Sequence, residues 1–172
     1  MYHSYLHSIT TPLGSFTLSE SKGFLTVLAS PEACPPAQKR LQRFLHYDMR
    51  FLTEATPLLL DAEQQLNAYF SGQLKQFDLP IQLHGTAFQK AVWDQLTQIP
   101  YAQTATYGAI GKKLNQKGAR AIGTAVGKNP LPIIVPCHRV LPQNGRIGNF
   151  SLTGGSASKA YLLDLEGAVY CK

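Results

Sequence analysis

Residues 77–85, FDLPIQLHG, divide the chain into two halves that obey different periodicities. The opening stretch, YLHSITTPLGSFTLSESKGFLTVLAS, runs β-branched and aromatic residues between two turn signals, Pro12-Leu13-Gly14 and Ser21-Lys22-Gly23. That pattern predicts a hairpin or meander of about three strands. PPAQKRLQRFLHYD then predicts a helix with Leu41, Phe44 and Leu45 on one face. PLLLDAEQQLNAYFSG predicts a stronger one, with Leu59, Ala62, Leu66 and Tyr69 near helical spacing and Gly72 as the stop. The dividing segment reads as a short strand or an extended linker, which separates residues 1–81 from residues 82–172.

The second half is built of helices. Thr86 is a candidate N-cap for TAFQKAVWDQLTQIP, whose stripe is Phe88, Val92 and Leu96 with Ala91 and Trp93 on its flanks; Pro100 ends it. TYGAIGKKLN and KGARAIGTAVGKN are two short helices joined by NQKG, the pattern of a helix-turn-helix. The second is assembled from Ala119, Ala121, Gly123, Ala125 and Gly127. Small residues weaken a helix, so they serve either tight packing on a neighbouring helix or the close approach of its backbone to something outside. SASKAYLLDLEGA closes the chain as an amphipathic helix anchored by Leu162, Leu163 and Leu165.

Charge follows the same division. Of the net +6, residues 1–80 carry six Lys/Arg against seven Asp/Glu, whereas residues 81–172 carry ten against three. A near-neutral module is thus joined to one with a net of +7, an asymmetry that suits a polyanion, nucleic acid above all. Hydrophobic residues at 44% and charged residues at 15% describe an ordinary folded protein. No apolar run reaches the roughly 20 residues a membrane helix needs. The start of the chain lacks the basic and apolar regions of a secretory signal, so a cytoplasmic protein is expected. Three widely spaced cysteines, Cys34, Cys137 and Cys171, argue against a disulfide framework, and no ligand-like spacing suggests a metal. Cys34 and Cys171 read as a loop thiol and a tail thiol.

Cys137 differs. In NPLPIIVPCHRVLPQNG it ends an apolar run, behind Pro136 and ahead of His138 and Arg139. The thiolate is the nucleophile, and a free thiol near pH 8.5 is mostly protonated at neutral pH. His138 can take the proton directly or through a water, a turn starting at Cys137 would aim N–H groups at the sulfur, and Arg139 adds positive charge. A carboxylate should orient the imidazole. The acids of this half are Asp94, Asp164 and Glu166, and Glu166 is one candidate.

PCHRV, with Asn129-Pro130 upstream, a glycine-rich turn and a LLDLEGA helix downstream, and TAFQKAVWDQLTQIP, TYGAIG and GARAIGTAVGKNP before it, resembles the O6-alkylguanine-DNA alkyltransferases. TPLGSFTLS extends the likeness loosely into the first half. The resemblance implies an α/β N-terminal domain with a small antiparallel sheet, ribonuclease H-like. A mainly helical, winged-helix-like C-terminal domain with the helix-turn-helix would follow. It implies one-way transfer of an alkyl group from O6-alkylguanine, and from O4-alkylthymine, in duplex DNA to Cys137, with no cofactor and a monomeric protein. His138 would be the base acting through water, Glu166 its orienting carboxylate, and Asn129 the brace of the turn. Tyr107 would bond the flipped base and supply a proton, the Val140 backbone would read the guanine edge, and Phe150 and Ser151 would wall the alkyl site. Arg120 would fill the gap left by the extruded base, with Ala119, Ala121, Gly123, Lys117 and Lys128 along the DNA.

One stretch departs from the family pattern of a tyrosine followed by a small residue and two glycines. In GNFSLTGGSASKA either Phe150 replaces the tyrosine and Leu152-Thr153 is inserted, or Leu152 takes that place. Both lose a hydroxyl. The competing readings are a non-catalytic lesion binder, which would lack the cysteine, and a helix-turn-helix regulator. A Cys-His hydrolase or redox enzyme is a third. An Ala/Gly recognition helix has few side chains to read base edges, and a hydrolase leaves the basic half unexplained.

Overall fold

The computed structural model describes residues 2–46 and 48–172, which form two compact units divided between His84 and Gly85. Tyr47, inside the first expected helical segment, lies outside the described residues. No helix among the described residues is long and apolar enough to cross a membrane.

The first unit is a four-stranded sheet with two helices. Strands β1 (Tyr2–Thr11), β2 (Gly14–Ser21) and β3 (Phe24–Ala29) form the expected antiparallel meander. Helix α1 (Cys34–Leu45) leads to β4 (Met49–Thr53), and α2 (Pro57–Phe70) follows. The strand order is β3-β2-β1-β4, and β4 joins β1 in parallel, so the sheet is mixed rather than purely antiparallel. MRFLT is too short for its period to announce a strand, and only pairing with β1 makes it one.

Alternation along β1 and β2 brings Ile9 opposite Phe16 with both buried, the period-2 logic of a sheet with one covered face. Helix α1 covers β3, and α2 covers β1 and β2. Leu59, Ala62, Leu66 and Tyr69 are all buried along α2, as their spacing requires. Thr56 caps that helix by accepting from the Leu59 N–H at 3.2 Å, and Pro57 fills the first position, which needs no donor.

Helix α1 turns a different face inward from the one expected. Cys34, Ala37 and Leu41 are buried while Phe44 is exposed, so Cys34 is a packed thiol at a helix start and not a loop thiol. Beyond α2 the chain stays extended. Gln82 donates to Leu25 and Leu25 to Pro80, both at 2.9 Å, which fastens the dividing segment to β3.

The second unit contains α3 (Ala87–Thr97), β5 (Ala105–Thr106), α4 (Tyr107–Lys113), α5 (Ala119–Gly127), a single 3-10 turn (Cys137–Arg139), β6 (Val140–Leu141) and α6 (Ser156–Glu166). Thr86 and Gln89 close a capping box at the start of α3. Val92, Trp93 and Leu96 are the buried side of this helix, and Phe88 is exposed. Burial of Trp93 is completed by its indole N–H, which donates to the Ala125 carbonyl at 2.9 Å and ties α3 to α5. The α4–α5 turn needs two special positions. Gly118 opens α5 at φ +104°, and Gly111 lies where a Cβ would stand 3.0 Å from the Gln116 carbonyl.

Candidate active site

Four short segments converge on Cys137. Pro136 donates no hydrogen bond; the Cys137 N–H closes a γ-turn about it on the Val135 carbonyl at 2.8 Å, and the Arg139 N–H bonds the Pro136 carbonyl at 3.1 Å, which begins the 3-10 turn at the cysteine itself. Residues 140–141 leave that turn as β6 and pair in parallel with β5, whose end is the start of α4. This two-strand ladder holds Tyr107, the first residue of α4, in register with the cysteine turn. Neither strand is visible in the sequence, since two residues carry no period.

Upstream, the loop 129–136 contains a strained position. Ile133 is buried with φ +75°, a region a β-branched residue rarely occupies. Asn129 supports it from inside, donating from Nδ2 to the Val135 carbonyl at 2.8 Å and accepting from the Leu131 N–H at 3.0 Å. Both bonds fall within the loop that precedes the cysteine.

Behind the sulfur lies a buried ionic network. His138 Nε2 is 2.7 Å from Glu166 Oε1. A carboxylate only accepts, so Nε2 carries the hydrogen and Nδ1 is the basic nitrogen. Arg139 donates from Nε to Oε2 and from Nη2 to Oε1 of the same carboxylate, and from Nη1 to the Ile99 carbonyl at 2.6 Å. The Ala102 N–H adds a further bond to Oε2 at 3.2 Å. Glu166 therefore joins the 99–102 loop, the 3-10 turn and the end of α6. Burial pushes the His138 imidazole below its usual value; Glu166 opposes that effect, and Arg139 and Lys159 reinforce it. Arg139 was expected to charge the thiol, but its guanidinium is committed to Glu166 and Ile99.

In front of the sulfur is a cavity of about 680 Å³. Cys137, Tyr107, Arg120, Gly123, Phe150 and Ser151 all border it. Leu152 is buried and does not border the cavity, so Phe150 is the residue at its wall. His138, Glu166 and Asn129 stand behind the cysteine and do not border the cavity. Val140 does not border it either; its carbonyl accepts a hydrogen bond from Lys159 Nζ at 2.5 Å. Lys117 and Ala121 border a second hollow on α5, which also shares Arg120, while exposed Ala119 and Lys128 border neither.

Lys159 escapes sequence reasoning. It is fully buried, it borders the cavity, and its position in SASKAYLLDLEGA is indistinguishable from a solvated lysine. The one available signal was its spacing: Lys159, Leu162, Leu163 and Glu166 fall on a single helical face.

Burial raises the Cys137 thiol, more than anything else does. The Asn129 side chain, the Lys159 ammonium and the N–H groups of Cys137 and His138 all pull it back. The site thus surrounds a secluded sulfur with donors and the charge of Lys159, and the imidazole of the next residue is oriented by Glu166. Such a sulfur can attack an electrophilic carbon presented in the cavity. Tyr107, raised by burial and by the Cys137 charge, keeps its proton and can donate it to a departing group.

Gly123 and Gly127 separate the two accounts of the small-residue helix. A Cβ at Gly127 would meet nothing within 4 Å, and one at Gly123 only the Tyr107 ring at 3.9 Å. Internal packing does not demand glycine at either position.

Residues 1–83 match the family model of the 6-O-methylguanine DNA methyltransferase ribonuclease-like domain, and residues 87–168 match that of the DNA binding domain. A methylated-DNA–protein-cysteine methyltransferase of Mycobacterium bovis is 37% identical over 163 residues, covering 94% of this chain and 92% of its own. The constitutive one of Bacillus subtilis is 37% identical over 173 residues, covering 97% and 98%. Among solved structures, the O6-methylguanine methyltransferase of Mycobacterium tuberculosis superposes with a TM-score of 0.76 at 37% identity, over 97% of this chain and 93% of that one. A structure of the M. tuberculosis protein in complex with DNA gives 0.75 at the same identity, over 96% and 92%.

Proposed function

This chain belongs to the 6-O-methylguanine DNA methyltransferase family, a family of direct-reversal DNA-repair proteins, and from that premise we propose that Cys137 is the sulfur that takes the alkyl group. The protein is a methylated-DNA–protein-cysteine methyltransferase that acts on DNA. The lesion base is extruded from the duplex, because its O6 substituent is out of reach in the stack, at a cost of a few kcal/mol. Arg120, exposed on α5 at the cavity rim, fills the space it leaves. Helix α5 meets the minor groove with Gly123 and the alanines at 119 and 121. Lys117 and Lys128 neutralise phosphates without reading sequence.

In the cavity the purine stacks against Phe150, near Ser151, with Tyr107 at its edge. Nδ1 of His138 draws the thiol proton, directly or through a water, and Glu166 stabilises the resulting imidazolium. The thiolate attacks the alkyl carbon. The S–C bond forms as the C–O6 bond breaks, and the electron pair stays with the guanine, which accepts a proton from Tyr107. The thioether formed is stable, so each chain reacts once. O4-alkylthymine fits the same chemistry as a second substrate. Reaction as a monomer in the cytoplasm accords with this reading.

The observation that carries the proposal is Cys137 at the wall of a cavity roomy enough for a purine, with the next two residues, His138 and Arg139, locked to Glu166. The test is intact-mass measurement after mixing with a duplex that contains O6-methylguanine. Transfer adds one methyl per chain, located on Cys137 and absent in Cys137→Ser. Retained lesion binding without any mass gain would mean a binder instead.

A further inference from the structure

The loop that follows β6, residues 142–155, supplies Pro142, Gly148, Asn149, Phe150 and Ser151 to the cavity wall. Helix α6 and the segment beyond it grip this loop at two places. At the start of α6, Ser156 Oγ donates to the Gly148 carbonyl at 3.3 Å. Past the other end the chain doubles back. Gly167 takes φ +72°, and the Ala168 N–H bonds the Leu163 carbonyl at 2.9 Å, a Schellman stop. Tyr170 Oη then donates to Asp164 Oδ1 at 2.9 Å, which pins the returning segment to the helix. The Cys171 N–H lands on the Gly145 carbonyl at 2.8 Å, and residues 146 and 171 form a parallel bridge. The approach is close: a Cβ on Gly145 would stand 3.1 Å from Cys171 Sγ.

We propose that segment 168–172 is a strap that positions the cavity wall, with Cys171 acting through its backbone N–H and Tyr170 as its anchor. Both are positioning residues, and their part in the transfer rests on the reading of the cavity as the seat of the extruded base. The route from strap to wall is short. The Gly145 N–H closes the turn 142–145 on the Pro142 carbonyl at 2.9 Å. A Cβ on Gly148 would stand 3.2 Å from Pro142 Cγ, so the two sides of the loop touch where they reach the cavity. Fixing residue 145 therefore fixes Pro142 and Gly148, and Phe150 lies two residues further on. With the strap engaged, Phe150 and Ser151 meet the base already ordered, and less ordering remains to be done on binding. The Cys171 thiol takes no part in the chemistry.

The experiment compares the wild type with Cys171→Pro, which deletes the N–H, and Cys171→Ala, which keeps it. Hydrogen exchange of amides 143–151 is followed by mass spectrometry, and single-turnover methyl transfer is measured at saturating O6-methylguanine duplex. In Cys171→Pro exchange in that loop rises about fivefold, the scale of one lost hydrogen bond, while α3 and α5 keep their protection. Transfer slows about fivefold as well, and affinity for an undamaged duplex holds. Cys171→Ala behaves as the wild type in all three. Unchanged loop exchange in Cys171→Pro overturns the proposal, and so does faster exchange at full transfer rate. Loss of protection spread over α3 and α5 also overturns it, because that is a merely structural effect. If Cys171→Pro does not fold, Tyr170→Phe is read in its place. Its loop exchange rises about twofold, and no rise is equally fatal. Exchange needs no lesion DNA, so a wild type that transfers no methyl refutes the reading of the cavity, whereas the strap stands or falls on the exchange.

Discussion

Arg139 holds Glu166 through two parallel hydrogen bonds, Nε to Oε2 and Nη2 to Oε1, both 2.9 Å long. The fork fixes the rotation of the carboxylate, and that rotation delivers Oε1 to His138. Lysine cannot reproduce a planar two-point grip. Arg139→Met leaves Glu166 buried with an uncompensated charge and should cost about 3–5 kcal/mol in denaturant unfolding at pH 7. Arg139→Lys should lose less stability, yet still slow methyl transfer in a single-turnover assay.

His138 makes stability depend on pH. Its folded value lies below the unfolded 6.5 because burial disfavours the cation. Between those two values the unfolded chain binds the proton and the folded chain does not, so stability falls as pH drops below about 6.5. Denaturant midpoints measured from pH 7.5 down to 5 should decline, and the decline should be shallower in His138→Gln.

Asn129→Ala removes both supports of the loop that contains Ile133. A buried carbonyl and a buried N–H lose their partners, at a cost of about 1–3 kcal/mol each before relaxation. The expected result is a lower melting temperature together with slower alkylation of Cys137. A loss of stability with the transfer rate intact would confine Asn129 to the fold.

Gly123→Ala separates packing from approach. The added methyl has room beside Tyr107, and a helix interior gains about 1 kcal/mol when glycine becomes alanine. The variant should melt higher. If α5 lies against the DNA backbone, it should also bind a lesion duplex more weakly in fluorescence anisotropy; equal affinity would remove Gly123 from the interface.

Much of the active half is legible because local signals agree there. Thr86 announces α3 by its capping chemistry, Gly118 marks the α4–α5 turn, and triad logic reduces the partner of His138 to three acids. Where local signals are weak, exposure is misjudged. Phe44 and Phe88 have the spacing of core residues but face outward, while Cys34 and Trp93 take the interior. Volume decides those cases: a helix face is buried by what packs on it, and periodicity names only the candidates.

By itself, the sequence determined the elements whose causes lie within a few residues: caps, turns and the buried stripe of α2. Tertiary structure decided what depends on partners distant in the chain. Strand β4 exists through β1, and β5 through β6. Lys159, rather than the adjacent Arg139, borders the cavity together with Cys137, because Glu166 and Ile99 hold the guanidinium while α6 carries the lysine inward. Neighbours in sequence leave the backbone in different directions, so a lysine 22 positions away lines the cavity of Cys137 while the arginine two positions away does not.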